Sequence, residues 1–144
     1  MNTVNIILVY SRDMARILMC RRRKPPYQGL LNLVGGHMEP GEDALDAAYR
    51  ELFEETGIAR DDIRLSCVIR SEYPLSDIML EMYAGRLSRD VDACGDENEL
   101  VWVDVNADFF DTTQFAGHGN IGHLVAEVRE DYADIVFGMK EVGK

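Results

Sequence analysis

GHMEPGEDALDAAYRELFEETGI, residues 36–58, is the stretch of this 144-residue chain that decides its fold. Its second part, 43–56, has the apolar spacing of an amphipathic helix, and Gly57 stands where a helix C-cap glycine is expected. At about 100° per residue, Glu51, Glu54 and Glu55 fall on one arc of that helix. The stretch therefore predicts a helix that presents clustered carboxylates.

These carboxylates repel one another, because like charges three and four residues apart destabilise a helix. A cation removes that cost, and clustered oxygen donors favour Mg²⁺ or Mn²⁺ over zinc. Ala44 and Ala47 share the acidic arc with Glu51, and their short side chains are expected to leave space for a ligand. From the residues alone, a solvated acidic surface in which Arg50 pairs with Glu54 is the alternative.

Apolar runs on both sides of this helix predict strands, and the apolar arc of the helix is expected to pack on the sheet that they form. The expected strands are 4–10, 17–22, 31–34, 65–73, 78–87 and 99–105, with a second helix over 121–132. The apolar arc holds Leu45, Ala48, Tyr49, Leu52, Phe53 and Thr56. The first two strands are expected to form one hairpin, and 65–73 and 78–87 a second. Local hairpins mixed with helices indicate an α+β fold.

The stretch 36–58 resembles the Nudix box, Gx5Ex7REUxEExGU, in which U is an apolar residue. It agrees at every specified position, namely Gly36, Glu42, Arg50, Glu51, Leu52, Glu54, Glu55, Gly57 and Ile58. The element order around it is also similar to that of Nudix hydrolases. The resemblance implies an α/β/α sandwich with a mixed sheet, formed by residues 1–144 as a single domain.

The resemblance also implies Mg²⁺-dependent hydrolysis of a pyrophosphate bond in a nucleoside diphosphate derivative, with Mn²⁺ as a substitute metal. The implied metal ligands are the Gly36 carbonyl, Glu51, Glu54 and Glu55. Arg50 is expected to orient the glutamates, while Glu42 and Gly57 support the structure. Glu54 is the first candidate for the general base, followed by Glu97 and Glu99, which lie just before LVWV.

The choice of nucleotide depends on residues outside this box. The basic run 21–24 ends a strand, and strand alternation would send Arg21 and Arg23 to one face. One of them could hold a terminal phosphate, although a solubilising strand edge is an equal interpretation. Gly35 lets the backbone approach a ligand closely. Asn32, in GLLNLVGG, resembles the base-reading asparagine of oxidised-purine triphosphatases, and Asn120 resembles by position one used by MutT-type enzymes.

The leading hypothesis is a MutT-like nucleoside triphosphate pyrophosphohydrolase that releases monophosphate and pyrophosphate, with an oxidised purine dNTP as a candidate substrate. The main alternative is hydrolysis of ADP-ribose or another nucleoside diphosphate sugar. Pro74 keeps this alternative open, because it lies where ADP-ribose pyrophosphatases tend to carry a proline. A nucleotide sensor without turnover is a further alternative, but such domains usually lose glutamates that this chain retains.

Composition limits the partners and the compartment. A net charge of −11 argues against binding of nucleic acid polymers or anionic membranes. The N-terminus lacks the pattern of an export signal, and no apolar run approaches about 18 residues, so neither export nor a membrane span is expected. Three scattered cysteines without a CxxC pair favour a reducing cytoplasm. A homodimer is one expected assembly, and 135–142 (IVFGMKEV) could extend a strand or its interface.

Overall fold

A mixed sheet forms the centre of the protein, whose computed structural model describes residues 2–95 and 97–137. Its order in the described part is β4-β5-β1-β3-β2-β6. The strands are β1 (Asn2–Tyr10), β2 (Arg16–Arg21), β3 (Leu31–His37), β4 (Ser66–Tyr73), β5 (Ile78–Arg86) and β6 (Glu99–Asp104). Every strand expected from the sequence is present, with its ends shifted by at most three residues.

The two expected hairpins have different outcomes. Strands β4 and β5 pair antiparallel along their length, joined by the short 3₁₀ turn Pro74–Ser76, as expected. Strands β1 and β2 pair antiparallel as expected, but only at their connected ends, through Tyr10 and Ile17. Strand β3 lies between them, antiparallel to both, and β1 pairs parallel with β5 on its other side.

Three α-helices accompany the sheet in the described ranges: α1 (Ala44–Thr56), α2 (Asn120–Asp131) and the short α3 (Ala133–Phe137). Asp43 caps the start of α1 by accepting a hydrogen bond from the Asp46 amide. Gly57 ends it in the left-handed conformation, with φ of 77°, and donates its amide to Phe53. The predicted boundaries of α1 and its glycine cap are therefore confirmed.

The layers are those of an α/β/α sandwich, because alternate residues of β1 enter two separate cores. Ile7 and Val9 pack with Ala48 and Leu52 of α1. Leu8 and Tyr10 pack on the other face, in the core that includes α2. This alternation is the period-two pattern of a strand covered on both faces. The expected fold class is confirmed.

Two predictions about the faces of α1 were wrong. Phe53, expected to pack on the sheet, is 58% exposed, because it lies at the margin of the apolar arc. Ala47, expected to form an open ligand floor, is fully buried, because the helix packs closely enough to cover a side chain of one carbon. The open side of the acidic arc therefore begins at Glu51.

The C-terminal prediction is tested only in part. Residues 135–137 belong to α3 instead of the suggested strand, and 138–142 lie outside the described residues. Within ranges 2–95 and 97–137, no helix has the length and apolar character needed to cross a membrane.

Candidate active site

A single arginine joins the start of α1 to its acidic arc. Arg50 donates from Nε and Nη2 to both carboxylate oxygens of Glu42, at 2.6 and 3.0 Å. Its Nη1 donates to Glu51 and Glu54, at 3.1 Å each. Its Nη2 also donates to the His37 carbonyl at 3.1 Å, just after the adjacent glycines. Arg50 thereby fixes two carboxylates and the nearby main chain together.

The adjacent glycines at the end of β3 touch the acidic helix directly. The Gly35 amide donates to Glu55 Oε1 at 2.8 Å. Gly36 lies against the carboxylate of Glu51 so closely that a Cβ on it would overlap that side chain. The Gly36 amide donates at 3.0 Å to Oδ1 of Asn5, in β1. The two glycines therefore bring main-chain groups within reach of the same carboxylates.

A cavity of about 650 Å³ opens beside this contact. Helix α1 contributes Glu51, Glu54 and Glu55 to its lining, and the loop before β6 contributes Glu97. The segment after β2 contributes basic side chains. That basic segment consists of Arg22, Arg23 and Lys24. The rest of the lining is Cys20, Gly35, Asn98 and Leu100. One cavity thus combines clustered carboxylates with a run of cations.

Burial and crowding change how the carboxylates titrate. Burial raises the pKa of Glu55 to about 7; the Gly35 amide opposes this rise, and the charges of Glu51 and Glu97 add to it. Burial also raises the pKa of Glu51, against the effect of Arg50. By contrast, the hydrogen bonds from Arg50 lower the pKa of Glu42. Glu55 therefore gains most from a nearby cation, whereas Glu42 is already compensated by Arg50.

The donor set suits a hard divalent cation. Glu51, Glu54 and Glu55 line the cavity, and Gly36 lies against the Glu51 carboxylate. These side chains and the Gly36 carbonyl offer only oxygen atoms. Within the part of the chain that the structure describes, no three acidic, thiol or imidazole side chains converge into a ready-made metal site. In this site, Arg50 donates to Glu51 and Glu54, and the Gly35 amide donates to Glu55.

The remaining predicted residues divide into those at the cavity and those away from it. Glu97 lines the cavity, whereas Glu99 pairs with Arg21 on the exposed surface at 3.1 Å. Arg23 lines the cavity, but Arg21 does not, because β2 ends at Arg21 and the strand alternation on which its placement was based stops there. The expected joint face for Arg21 and Arg23 is therefore wrong.

The two asparagines suggested for base recognition lie outside this lining. Asn32 is half-buried in β3, and its Oδ1 accepts the Leu33 amide at 2.8 Å. Asn120 is the exposed first residue of α2. Both stay predictions as substrate contacts.

Sequence patterns did not single out several residues that the structure brings to this site. Arg22 and Lys24 join the cavity beside Arg23, and Asn98 joins it beside Glu97. The charge run 21–24 signalled a basic surface but not which members face inward. Asn5 is far from the acidic stretch in sequence, and its only signal was an amide inside an apolar strand.

The NUDIX domain model matches residues 1–120, and the chain belongs to this family. An octanoyltransferase from Myxococcus xanthus is 35% identical over 112 residues, covering 73% of this chain and 31% of that protein. A putative 8-oxo-dGTP diphosphatase from Bacillus subtilis is 39% identical over 57 residues, covering 40% of this chain and 36% of that protein. The chain thus spans about a third of the length of these curated relatives.

Solved structures agree on the fold. A MutT structure from a study of Aliivibrio salmonicida and Vibrio cholerae matches with a TM-score of 0.69 and 19% identity, over 88% of this chain and 98% of that one. An Ap4A hydrolase of C. elegans matches with a TM-score of 0.73 and 18% identity, over 94% of this chain and 100% of that one. At these identities the likeness establishes the architecture, and the substrate has to be argued from the site.

Proposed function

We propose that this protein catalyses Mg²⁺-dependent hydrolysis of a pyrophosphate bond in a nucleoside triphosphate, releasing monophosphate and pyrophosphate. The observation that carries the proposal is the cavity in which Glu51, Glu54, Glu55 and Glu97 meet the basic segment 22–24. Carboxylates alone would repel a polyphosphate, and cations alone would bind one without activating water. Their presence in one cavity suits cleavage of a polyanion.

Mg²⁺ would be held by Glu51, Glu54, Glu55 and the Gly36 carbonyl, with Mn²⁺ as a substitute. When bound, it would supply charge neutralisation of the phosphates and a lowered pKa for an attacking water. The role of Arg50 is to hold Glu51 and Glu54 in place from the side of Glu42. This pre-orientation reduces the reorganisation that the reaction requires.

The proton of the attacking water needs a carboxylate acceptor. Glu54 is the first candidate because its side chain is 57% exposed and lines the cavity. Glu97 is the second, since it lines the same cavity from the loop before β6. Glu99 ranks third, because it is not part of the described cavity lining and pairs with Arg21 on the surface.

The basic segment favours a free terminal phosphate. Arg23 and Lys24 line the cavity that also holds the acidic cluster, so a chain of phosphates can reach both. A nucleoside diphosphate sugar ends in a neutral sugar and would use these cations less well. The curated relative from Bacillus subtilis is described as a putative 8-oxo-dGTP diphosphatase, which supports a MutT-like activity for this chain. Asn32 remains the proposed contact for a purine base.

The proposal is tested by a phosphate-release screen with the full chain and Mg²⁺. The panel contains the dNTPs, oxidised dNTPs, ADP-ribose, nucleotide sugars and dinucleoside polyphosphates. We expect triphosphates to give the highest kcat/KM, with pyrophosphate as a product. A clear preference for ADP-ribose would replace this proposal by the alternative activity. No turnover of any substrate would refute both.

The proposed setting is the cytoplasm. All three cysteines are free, and Cys20 is buried. Free thiols are typical of a reducing compartment.

A further inference from the structure

Asn5 is a buried amide in the middle of an apolar strand. It lies in β1, is 2% exposed, and is one of four buried polar or charged residues in the described part of the chain. Its Oδ1 accepts the hydrogen bond that Gly36 donates at 3.0 Å. Burying a side-chain amide costs free energy unless the amide is hydrogen-bonded. The bond to Gly36 therefore offsets part of the cost of burying Asn5.

The end of β3 depends on side chains for its hydrogen bonds. Asn5 and Gly36 are register partners in the antiparallel β1–β3 pair, yet the Gly36 amide is bonded to the Asn5 side chain. The preceding amide, that of Gly35, is bonded to Glu55. The two glycine amides are therefore held by side chains of different elements, Gly36 by β1 and Gly35 by α1.

This arrangement fixes the main chain on both sides of the Gly36 carbonyl. On one side, the Gly36 amide is bonded to Asn5, and on the other, the His37 carbonyl accepts from Arg50 at 3.1 Å. The Gly36 carbonyl therefore lies between two anchored points. Gly36 also packs directly on Glu51. A shift of the peptide before Gly36 would move both the carbonyl and the surface against which Glu51 rests.

We propose that Asn5 is a positioning residue for metal binding, which sets the Gly36 main chain so that its carbonyl and Glu51 can share one cation. This inference rests on the proposed metal-dependent function. Asn5 is not part of the described cavity lining, and it acts through the hydrogen bond that it accepts from the Gly36 amide. Outer-shell hydrogen bonds of this kind typically change metal affinity about 10–100-fold when removed.

A purely structural role for Asn5 would have a different signature. It would lower stability without selectively changing metal affinity. Tyr49 offers a matched control, because its hydroxyl accepts a hydrogen bond from the Leu65 amide at 2.9 Å. This bond does not involve Gly35 or Gly36. Tyr49→Phe removes a side-chain acceptor from a backbone amide, as Asn5→Leu does, but leaves the Gly36 contact untouched.

The experiment measures Mn²⁺ affinity of the EDTA-treated full chain by electron paramagnetic resonance, together with Tm in EDTA. Asn5→Leu, similar in shape but without an acceptor, is expected to weaken Mn²⁺ binding about tenfold or more. Asn5→Asp keeps an acceptor oxygen and is expected to stay within about threefold of the wild type. Tyr49→Phe is expected to lower Tm and leave Mn²⁺ affinity unchanged.

Wild-type Mn²⁺ affinity in a folded Asn5→Leu variant would overturn the inference, as would an equal loss in Tyr49→Phe. If Asn5→Leu does not fold, Asn5→Ser is used, whose oxygen is one bond shorter than the amide oxygen, and the same two outcomes decide. Failure of the proposed function has a separate signature, because the wild type itself would then neither bind Mn²⁺ nor hydrolyse nucleotides.

Discussion

Arg50 and Glu42 form a two-pronged ion pair, with Nε and Nη2 of the arginine donating to the two carboxylate oxygens at 2.6 and 3.0 Å. The pair is partly shielded, since the side chains are 25% and 17% exposed. Glu42 thereby occupies one edge of the guanidinium. The remaining Nη1 is directed at Glu51 and Glu54. Glu42, which precedes α1, thus acts through Arg50 on the direction of the Glu51 and Glu54 side chains.

Arg50→Lys keeps the charge but removes this planar fork. We expect kcat to fall about 100-fold, because the carboxylates lose their fixed orientation. Circular dichroism should show that the fold is retained. Steady-state kinetics at saturating Mg²⁺ measure the effect, and a kcat equal to that of the wild type would show that orientation by Arg50 is unimportant.

The raised pKa of Glu55 makes metal binding and stability depend on pH. The pKa of Glu55 is about 7 in the folded protein, against an ordinary value of 4.5. Its contribution to stability is therefore fully present below pH 4.5 and is lost as pH rises through about 7. Above pH 7 the carboxylate is charged, and a cation offsets the repulsion. We expect Mg²⁺ to raise Tm more at about pH 8 than at about pH 6. Glu55→Gln should remove this difference, and an equal Mg²⁺ effect at both pH values would contradict the assignment.

The basic segment should control binding of the triphosphate more than catalysis. Arg23→Ala and Lys24→Ala are each expected to raise KM for the best triphosphate about tenfold, with a smaller change in kcat. Arg12→Ala is a matched control, because Arg12 is also exposed but pairs with Asp90 outside the cavity. An unchanged KM in both the Arg23→Ala and Lys24→Ala variants would contradict the proposal that these two residues contact the phosphates.

Position 36 needs a residue without a Cβ, and the effect of a Cβ on metal binding can be measured separately from its effect on stability. A Cβ at this position would overlap the Glu51 carboxylate, the flexible end of a side chain. Gly36→Ala is therefore expected to displace Glu51 and weaken Mn²⁺ binding about tenfold or more, with only a small fall in Tm. Titration of Mn²⁺ and a melting curve measure the two effects, and intact affinity would show that Glu51 does not need this space.

The parts of the site that sequence predicts are those that local chemistry determines. The cap residues Asp43 and Gly57 and the periodicity between them define α1, so the arc shared by Glu51, Glu54 and Glu55 follows from the sequence. Contacts between strands distant in sequence do not follow in this way. The insertion of β3 between β1 and β2 depends on packing of the whole sheet, and the contact of Asn5 with Gly36 depends on that insertion.

Side-chain direction at the ends of elements was also beyond prediction. Arg21 and Arg23 alternate only if the strand continues, and it ends at Arg21. Glu97 and Glu99 are two residues apart, yet the first lies in the loop at the cavity and the second on the strand paired with Arg21. Strand period-two reasoning has no basis where the strand gives way to a loop.

The most direct test of the central claim is hydrolysis of the best triphosphate by the wild type and by Glu54→Gln, with Mg²⁺ and with EDTA. Glu54→Gln removes the charge at nearly constant size, and Tm provides the control for folding. We predict turnover by the wild type only with Mg²⁺, and a fall in kcat of about 100-fold or more in the variant. Turnover that persists in EDTA, or a Glu54→Gln variant as active as the wild type, would contradict a metal-dependent mechanism centred on this acidic helix.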